Sequence, residues 1–185
     1  MKVQNNNFKI HHLKSLGIFL LGFLLITLLN SCYTFVNNNL DPRVQTIQIK
    51  NFPNNAALVN PTLSQDFTTL LQNRFLRNTT LKGALESPDI LVEGEITDYT
   101  ISPTAISNPI NTDGGSIQAA QNKLVITVKV HYENKIQPDK NFDRTYTDEA
   151  VFSSDLDINQ IETSQVKIVN ERIINKIFND IVADW

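Results

Sequence analysis

Residues 122–134 read NKLVITVKVHYEN. Leu124, Ile126, Val128, Val130 and Tyr132 take every second position, and Lys123, Val125, Thr127, Lys129 and His131 fill the places between. Side chains of a strand point alternately to its two faces, whereas a helix repeats every 3.6 residues, so this spacing admits a strand and excludes a helix. One face of that strand is apolar and must meet a core. The other is mostly polar and belongs in water, the pattern of an antiparallel sheet covered on one side.

A single strand buries nothing by itself, so the rest of the chain has to supply its neighbours and its cover. Residues 142–154, FDRTYTDEAVFSS, place Phe142, Arg144 and Tyr146 on one side and follow the short turn IQPDKN, which predicts a hairpin. Upstream, SPDILVEGEITDYTIS alternates Ile90, Val92 and Ile96 with Leu91, Glu93, Glu95 and Thr97. Gly94 falls on the apolar face, where a missing side chain marks a bulge or close packing. The alternation slips after Thr97, bringing Tyr99 and Ile101 into apolar positions and predicting a bulge near Asp98. Residues 103–115 are rich in Pro, Ser, Asn, Thr and Gly and are expected to form a long loop. A first strand is expected over 44–50, with Ile47 and Ile49 on one face.

The cover comes from two helices. Asn60-Pro61 supplies an N-cap and a proline at the first helical position, where a missing N–H costs nothing. Leu63, Phe67, Leu70, Leu71 and Phe75 then make an apolar stripe for a helix over 61–77. Asp157 is a cap for the last helix, along which Val166, Val169, Ile173, Ile177, Ile181 and Trp185 recur at helical steps, widened by Ile174, Phe178 and Val182. A stripe that wide lies on a sheet. The expected fold is α+β: a two-layer sandwich, two helices packed on one face of a four-stranded mixed sheet, in the order β-α-β-β-β-α. Strands one and two would be parallel.

The N-terminus follows different rules. Residues 1–15 carry Lys2, Lys9 and Lys14 and no acid, and residues 16–29 are apolar apart from Thr27. Spanning a bilayer takes about 20 apolar residues, and a shorter run after a basic start is the secretory pattern. The alternative is a short retained anchor. The run ends at Leu29-Asn30-Ser31-Cys32, which resembles the lipobox of bacterial lipoproteins, although Asn30 is an unusual residue at its position. That resemblance implies a diacylglyceryl group on the Cys32 thiol, cleavage before Cys32 and acylation of the new amine. Several acyl chains anchor firmly where one holds marginally. Cys32 is the only cysteine, so no internal disulfide is available; its other reading is a spare thiol. The expected organisation is a removed signal peptide over 1–31, a lipidated tether over 32–43 and one domain over 44–185. Residues 33–39, YTFVNNN, hold no acid, which in such lipoproteins implies the periplasmic side of the outer membrane.

Removal of 1–31 takes away three lysines and no acid, leaving 13 basic and 19 acidic side chains, a balance of −6. That argues against nucleic-acid binding, which runs on basic groups neutralising phosphates. His131 is the only histidine beyond residue 31, so no metal site of several histidines exists and none is expected. Gly114-Gly115 lacks the spacing of a phosphate loop. Glu93 and Glu95 share a strand face roughly 7 Å apart, but exposed acids on a wet face explain them. No catalytic residue is expected. Lys123 and Lys129 line the polar face as candidates for contact with phosphates of a lipid headgroup; solvated lysines paired to acids across strands are the plainer account.

Three stretches carry a wider resemblance: CYTFVNNNLDPRVQTIQIKNFPNNAALVNPTLSQDFTTLLQNRF, LVEGEITDYTISP and the terminal NKIFNDIVADW. Together they resemble the lipopolysaccharide-assembly lipoproteins of the LptE family, in the branch with an FPNNA…NPTLS…FT block. The family often has Gly directly after the lipidated Cys, where this chain has Tyr33. The resemblance implies two helices on a four-stranded sheet and no enzymatic activity. It implies a protein that plugs an outer-membrane β-barrel of the LptD type, supports its assembly and contacts lipopolysaccharide. No cofactor is expected beyond the acyl lipid on Cys32. The alternative is a free periplasmic lipid-binding or chaperone-like lipoprotein with no barrel.

Overall fold

The computed structural model describes residues 40–58, 60–104, 110–112, 115–117 and 121–182. The chain runs β1 (Thr46–Ile49), α1 (Leu63–Asn78), β2 (Lys82–Gly83), β3 (Ile90–Thr104), β4 (Ile110–Thr112), β5 (Gly115–Ile117), β6 (Gln121–Asn134), β7 (Phe142–Ser153) and α2 (Lys167–Val182). The alternating stretch is β6, paired antiparallel with both β3 and β7. β1 lies parallel to β3 on its other side, so the sheet is mixed. The slip in alternation is a register shift between Ile96 and Asp98 against β6, a bulge that returns Tyr99 to the core.

The main sheet has five strands, in the order β2-β1-β3-β6-β7, where four were expected. The extra strand is β2. The chain leaving α1 turns back along the free edge of β1, where Lys82 N donates to Gln45 O at 2.9 Å and Ala84 N to Ile47 O at 3.0 Å. Two residues contain no period, so nothing in the sequence marks them. The described residues of the loop expected over 103–115 include strand. β3 continues to Thr104, and β4 pairs antiparallel with β5, Thr112 opposite Gly115.

Both helices cover one face of the main sheet, and the core lies between. Ile90, Val92 and Ile96 of β3 and Leu124, Ile126 and Val128 of β6 are fully buried with Phe67, Leu71 and Phe75 of α1 and Ile173 and Ile177 of α2. Phe75 meets Phe178 with ring centroids 5.1 Å apart. Leu70, expected in the stripe, is half-buried. Asn60 caps as expected: its Oδ1 accepts from Thr62 N and Leu63 N, each at 3.1 Å. Asp157 Oδ1 accepts from Gln160 N at 2.9 Å while Gln160 Oε1 accepts from Asp157 N at 3.3 Å, a reciprocal capping box.

Between that cap and α2 the chain forms an α-helical turn, Ile158–Gln160, and a π-helical segment, Ile161–Val166. Ile161 and Val166 are both buried and stand five residues apart, the spacing of π-helical hydrogen bonds. Trp185, expected on the stripe, lies outside the described residues. No helix among them is long and apolar enough to cross a membrane.

Candidate functional site

The sheet face turned away from the helices carries the polar half of every alternation, in rows across the strands. In one row Lys50 Nζ reaches Glu93 Oε2 at 2.7 Å, Glu93 stands opposite His131, and His131 Nδ1 lies 2.8 Å from Asp143 Oδ1. A carboxylate only accepts, so Nδ1 is the donor. In the next row Asn55 Nδ2 donates to Glu95 Oε2 at 2.7 Å, and Glu95 stands opposite Lys129. Beyond it the Thr127 and Thr147 hydroxyls lie 3.0 Å apart, and Thr97 Oγ1 donates to Thr127 O at 3.3 Å.

The first two rows line an open depression of about 660 Å³, which also takes in Arg144 and Thr145. Its walls set Lys50 and Lys129 against Glu93, Glu95 and Asp143, while Arg144 at the rim turns its guanidinium to Asp180 of α2. Such a surface has no bulk pull on a polyanion and binds only by local complementarity.

Three of its four basic groups are held. Lys50 has Glu93, His131 has Asp143, and Arg144 Nη1 donates to Asp180 Oδ2 at 2.7 Å. The Asp180 hydrogen bond holds the Arg144 guanidinium more firmly protonated than usual. Tyr146 OH donates to the same Oδ2 at 2.7 Å. Burial, and then that neighbouring carboxylate, push the Tyr146 hydroxyl well above its ordinary range. Lys129 is exposed and makes no ion pair among the described residues.

A family model described as LptE: Lipopolysaccharide-assembly matches residues 44–185. The chain belongs to the LptE family. Membership gives it a role in lipopolysaccharide assembly, within a family of non-enzymatic lipoproteins. No curated protein matches it in sequence. Among solved structures, a minor lipoprotein from Acinetobacter baumannii is similar at 17% identity, covering 75% of this chain and 92% of that one with a TM-score of 0.46. A hypothetical protein from Chlamydia trachomatis is similar at 10% identity, covering 76% and 99%, with a TM-score of 0.49.

For this LptE chain the residue block behind the family resemblance builds structure. Phe52 is fully buried beside Gly94, where a Cβ would stand 2.6 Å from Phe52 Cε1 and 2.1 Å from Lys129 O. Close packing, not a bulge, therefore explains the glycine. Pro53 O accepts from Ile96 N at 2.9 Å, and Asn60 caps α1. The two lysines singled out by sequence are not brought together: six residues apart on one strand, they stand ~20 Å from each other. Lys123 is tied to Glu149 at 3.2 Å. Glu93 and Glu95 are engaged by different partners and form no carboxylate pair. Leu29, Asn30, Ser31 and Cys32 lie outside the described residues. Sequence reasoning missed Lys50 and Arg144, because only the pairing of distant strands brings Lys50 to Glu93 and sets Arg144 opposite Val130 at the rim of the depression.

Proposed function

We propose that this chain is an outer-membrane lipoprotein, held on the periplasmic side by acyl chains on Cys32 after loss of residues 1–31. It seats in an LptD-type β-barrel, supports that barrel's assembly and takes part in lipopolysaccharide transport. The observation that carries the reading is the LptE match across residues 44–185. The open sheet face is consistent with it. Barrel lumens are polar, and a wall of largely paired charges and threonines suits a polar lining, with Lys129 as the one cation of the open depression left for a partner to answer among the described residues. The protein acts by filling space and bonding locally, not by catalysis. Contact with lipopolysaccharide falls to Lys129 first, because Glu149 already occupies Lys123.

Affinity purification from outer membranes is expected to bring down a large β-barrel. A barrel-free preparation carrying stoichiometric lipid would favour the free lipid-binding lipoprotein instead. Cys32→Ser is expected to leave uncut precursor or to release the protein from membranes. A Cys32→Ser protein that matures and fractionates normally would refute the anchor. Reversing Lys123 and Lys129 to Glu together should weaken lipopolysaccharide binding with the fold intact; unchanged binding returns both to solvated lysines.

A further inference from the structure

On the outer side of the helical layer a cleft runs between α1 and α2. Asp66 and Thr69 of α1 and Lys167 and Asn170 of α2 wall its first half, about 600 Å³. Arg74 and Glu171 wall a second half of about 310 Å³, and Leu70 borders both. Rising numbers on α1 meet rising numbers on α2, so the helices run parallel. The cleft follows α1 from Thr62 to Asn78. At 1.5 Å per residue that is ~24 Å, the reach of about seven residues of extended chain.

Two polar groups on these walls are unanswered. Asn170 is 1% exposed, and its amide makes no hydrogen bond among the described residues; Oδ1 is buried and bare. The two ends of an amide have nearly the same shape, so with no bond to fix it the side chain can present either a carbonyl or an NH₂. One turn further along, Arg74 Nε is also buried without an acceptor, its guanidinium 4.5 Å over the Phe178 ring. Natural interiors rarely leave such groups unsatisfied, and each one calls for a reason. The π-helical Ile161–Val166 leads into this cleft, and Thr163 and Val166 border it. Such segments recur at functional sites.

We propose that the cleft docks an extended polypeptide segment of a partner protein, whose backbone N–H and C=O groups answer Asn170 and Arg74. Groups on one edge of an extended backbone repeat every ~6.6 Å, close to one helical turn of ~5.4 Å. Asp66 and Lys167 face the occupant with opposite charges, and neither is ion-paired among the described residues, which suits a neutral backbone better than a phosphate. The lining offers no aromatic platform for a sugar or a base. A second copy of this chain is a poor occupant. Its long edge strand, β7, has the Thr147 and Glu149 carbonyls already taken by Lys176 Nζ at 2.9 Å and Arg172 Nη1 at 3.1 Å.

The test rests on the reading above in one respect: the LptD-type barrel is the partner assayed. Benzoylphenylalanine placed at Thr69 in the cleft, or at Thr127 on the sheet face, is photolysed in the full-length protein co-expressed with the barrel. Crosslinks from Thr69 confined to one stretch of about seven barrel residues are expected. Crosslinks from Thr127 alone overturn the docking and leave the barrel reading standing; no barrel from either position sinks both. Asn170→Leu supplies an independent readout. It is expected to raise Tm of the protein alone and to cut barrel recovery at least tenfold, because a bare buried amide destabilises the free domain. A lowered Tm with unchanged recovery makes Asn170 structural and overturns the proposal. Asn170→Ala adds no bulk and answers the same question if the leucine variant does not fold.

Discussion

Along β6 one face holds Leu124, Ile126 and Val128 at 0% exposure and Val130 and Tyr132 at 2%. The other, one residue out of phase on the same backbone, holds Lys123, Thr127, Lys129 and His131, each half-buried or exposed. The first face meets α1 and α2 and is specified by shape. The second is specified by pairing: Lys123 and His131 are answered by neighbours that water could replace, and Lys129 is left to water. Interiors are close-packed and do not forgive lost volume, whereas exposed ion pairs contribute little. Substitutions on the two faces should therefore separate widely in cost.

The largest effect is expected from Phe75→Ala, which empties a fully buried site against Phe178. A loss of about 3–5 kcal/mol should appear in denaturant unfolding. A loss under about 1 kcal/mol would mean that the two faces are not as different as their packing states. Gly94→Ala comes next, at about 1–3 kcal/mol, because the added methyl meets the β6 backbone at Lys129 O as well as Phe52.

Asp89→Asn sharpens the comparison at the junction of β1 and β3. Asp89 Oδ2 accepts from Gln45 N, Thr46 N and the Thr46 hydroxyl at 3.0, 2.9 and 2.8 Å. The backbone bond from Gln45, followed by the Thr46 hydroxyl, holds its carboxyl below the usual range. A depressed carboxylate stabilises fully above its unfolded value of about 3.9, and that stabilisation fades as pH falls through the lower folded value. The variant should lose about 1–2 kcal/mol at pH 7, and melting curves should converge with the native protein as pH drops below about 4. A gap independent of pH would refute the charge-assisted role. Smallest is Lys129→Glu, expected to stay within about 0.5 kcal/mol in stability while reducing lipopolysaccharide capture severalfold. A destabilisation comparable to Gly94→Ala would show that the open face also bears on folding.

Much of this was readable before any coordinates. The alternation of β3 and β6, the slip at the bulge, and the caps at Asn60 and Asp157 are local patterns, carried by residues a few positions apart. β2 was not, since two residues have no period, and neither was the π-helical segment, since a helical stripe continues through it with one residue to spare. Asn170 did leave a trace: it stands four residues from Val166 and four from Ile174, an amide inside an apolar stripe. The Arg144–Asp180 pair spans 36 residues and left none.

By itself the sequence determined which side of each strand and helix would be buried, and hence an α+β sheet under two helices, because periodicity is a property of neighbouring residues. Only the tertiary structure decided that five strands share the main sheet, that Lys123 is answered and Lys129 is not, and that a bare amide borders a cleft between parallel helices. Those outcomes depend on register and on how distant segments lie against one another, which no stretch of neighbouring residues encodes.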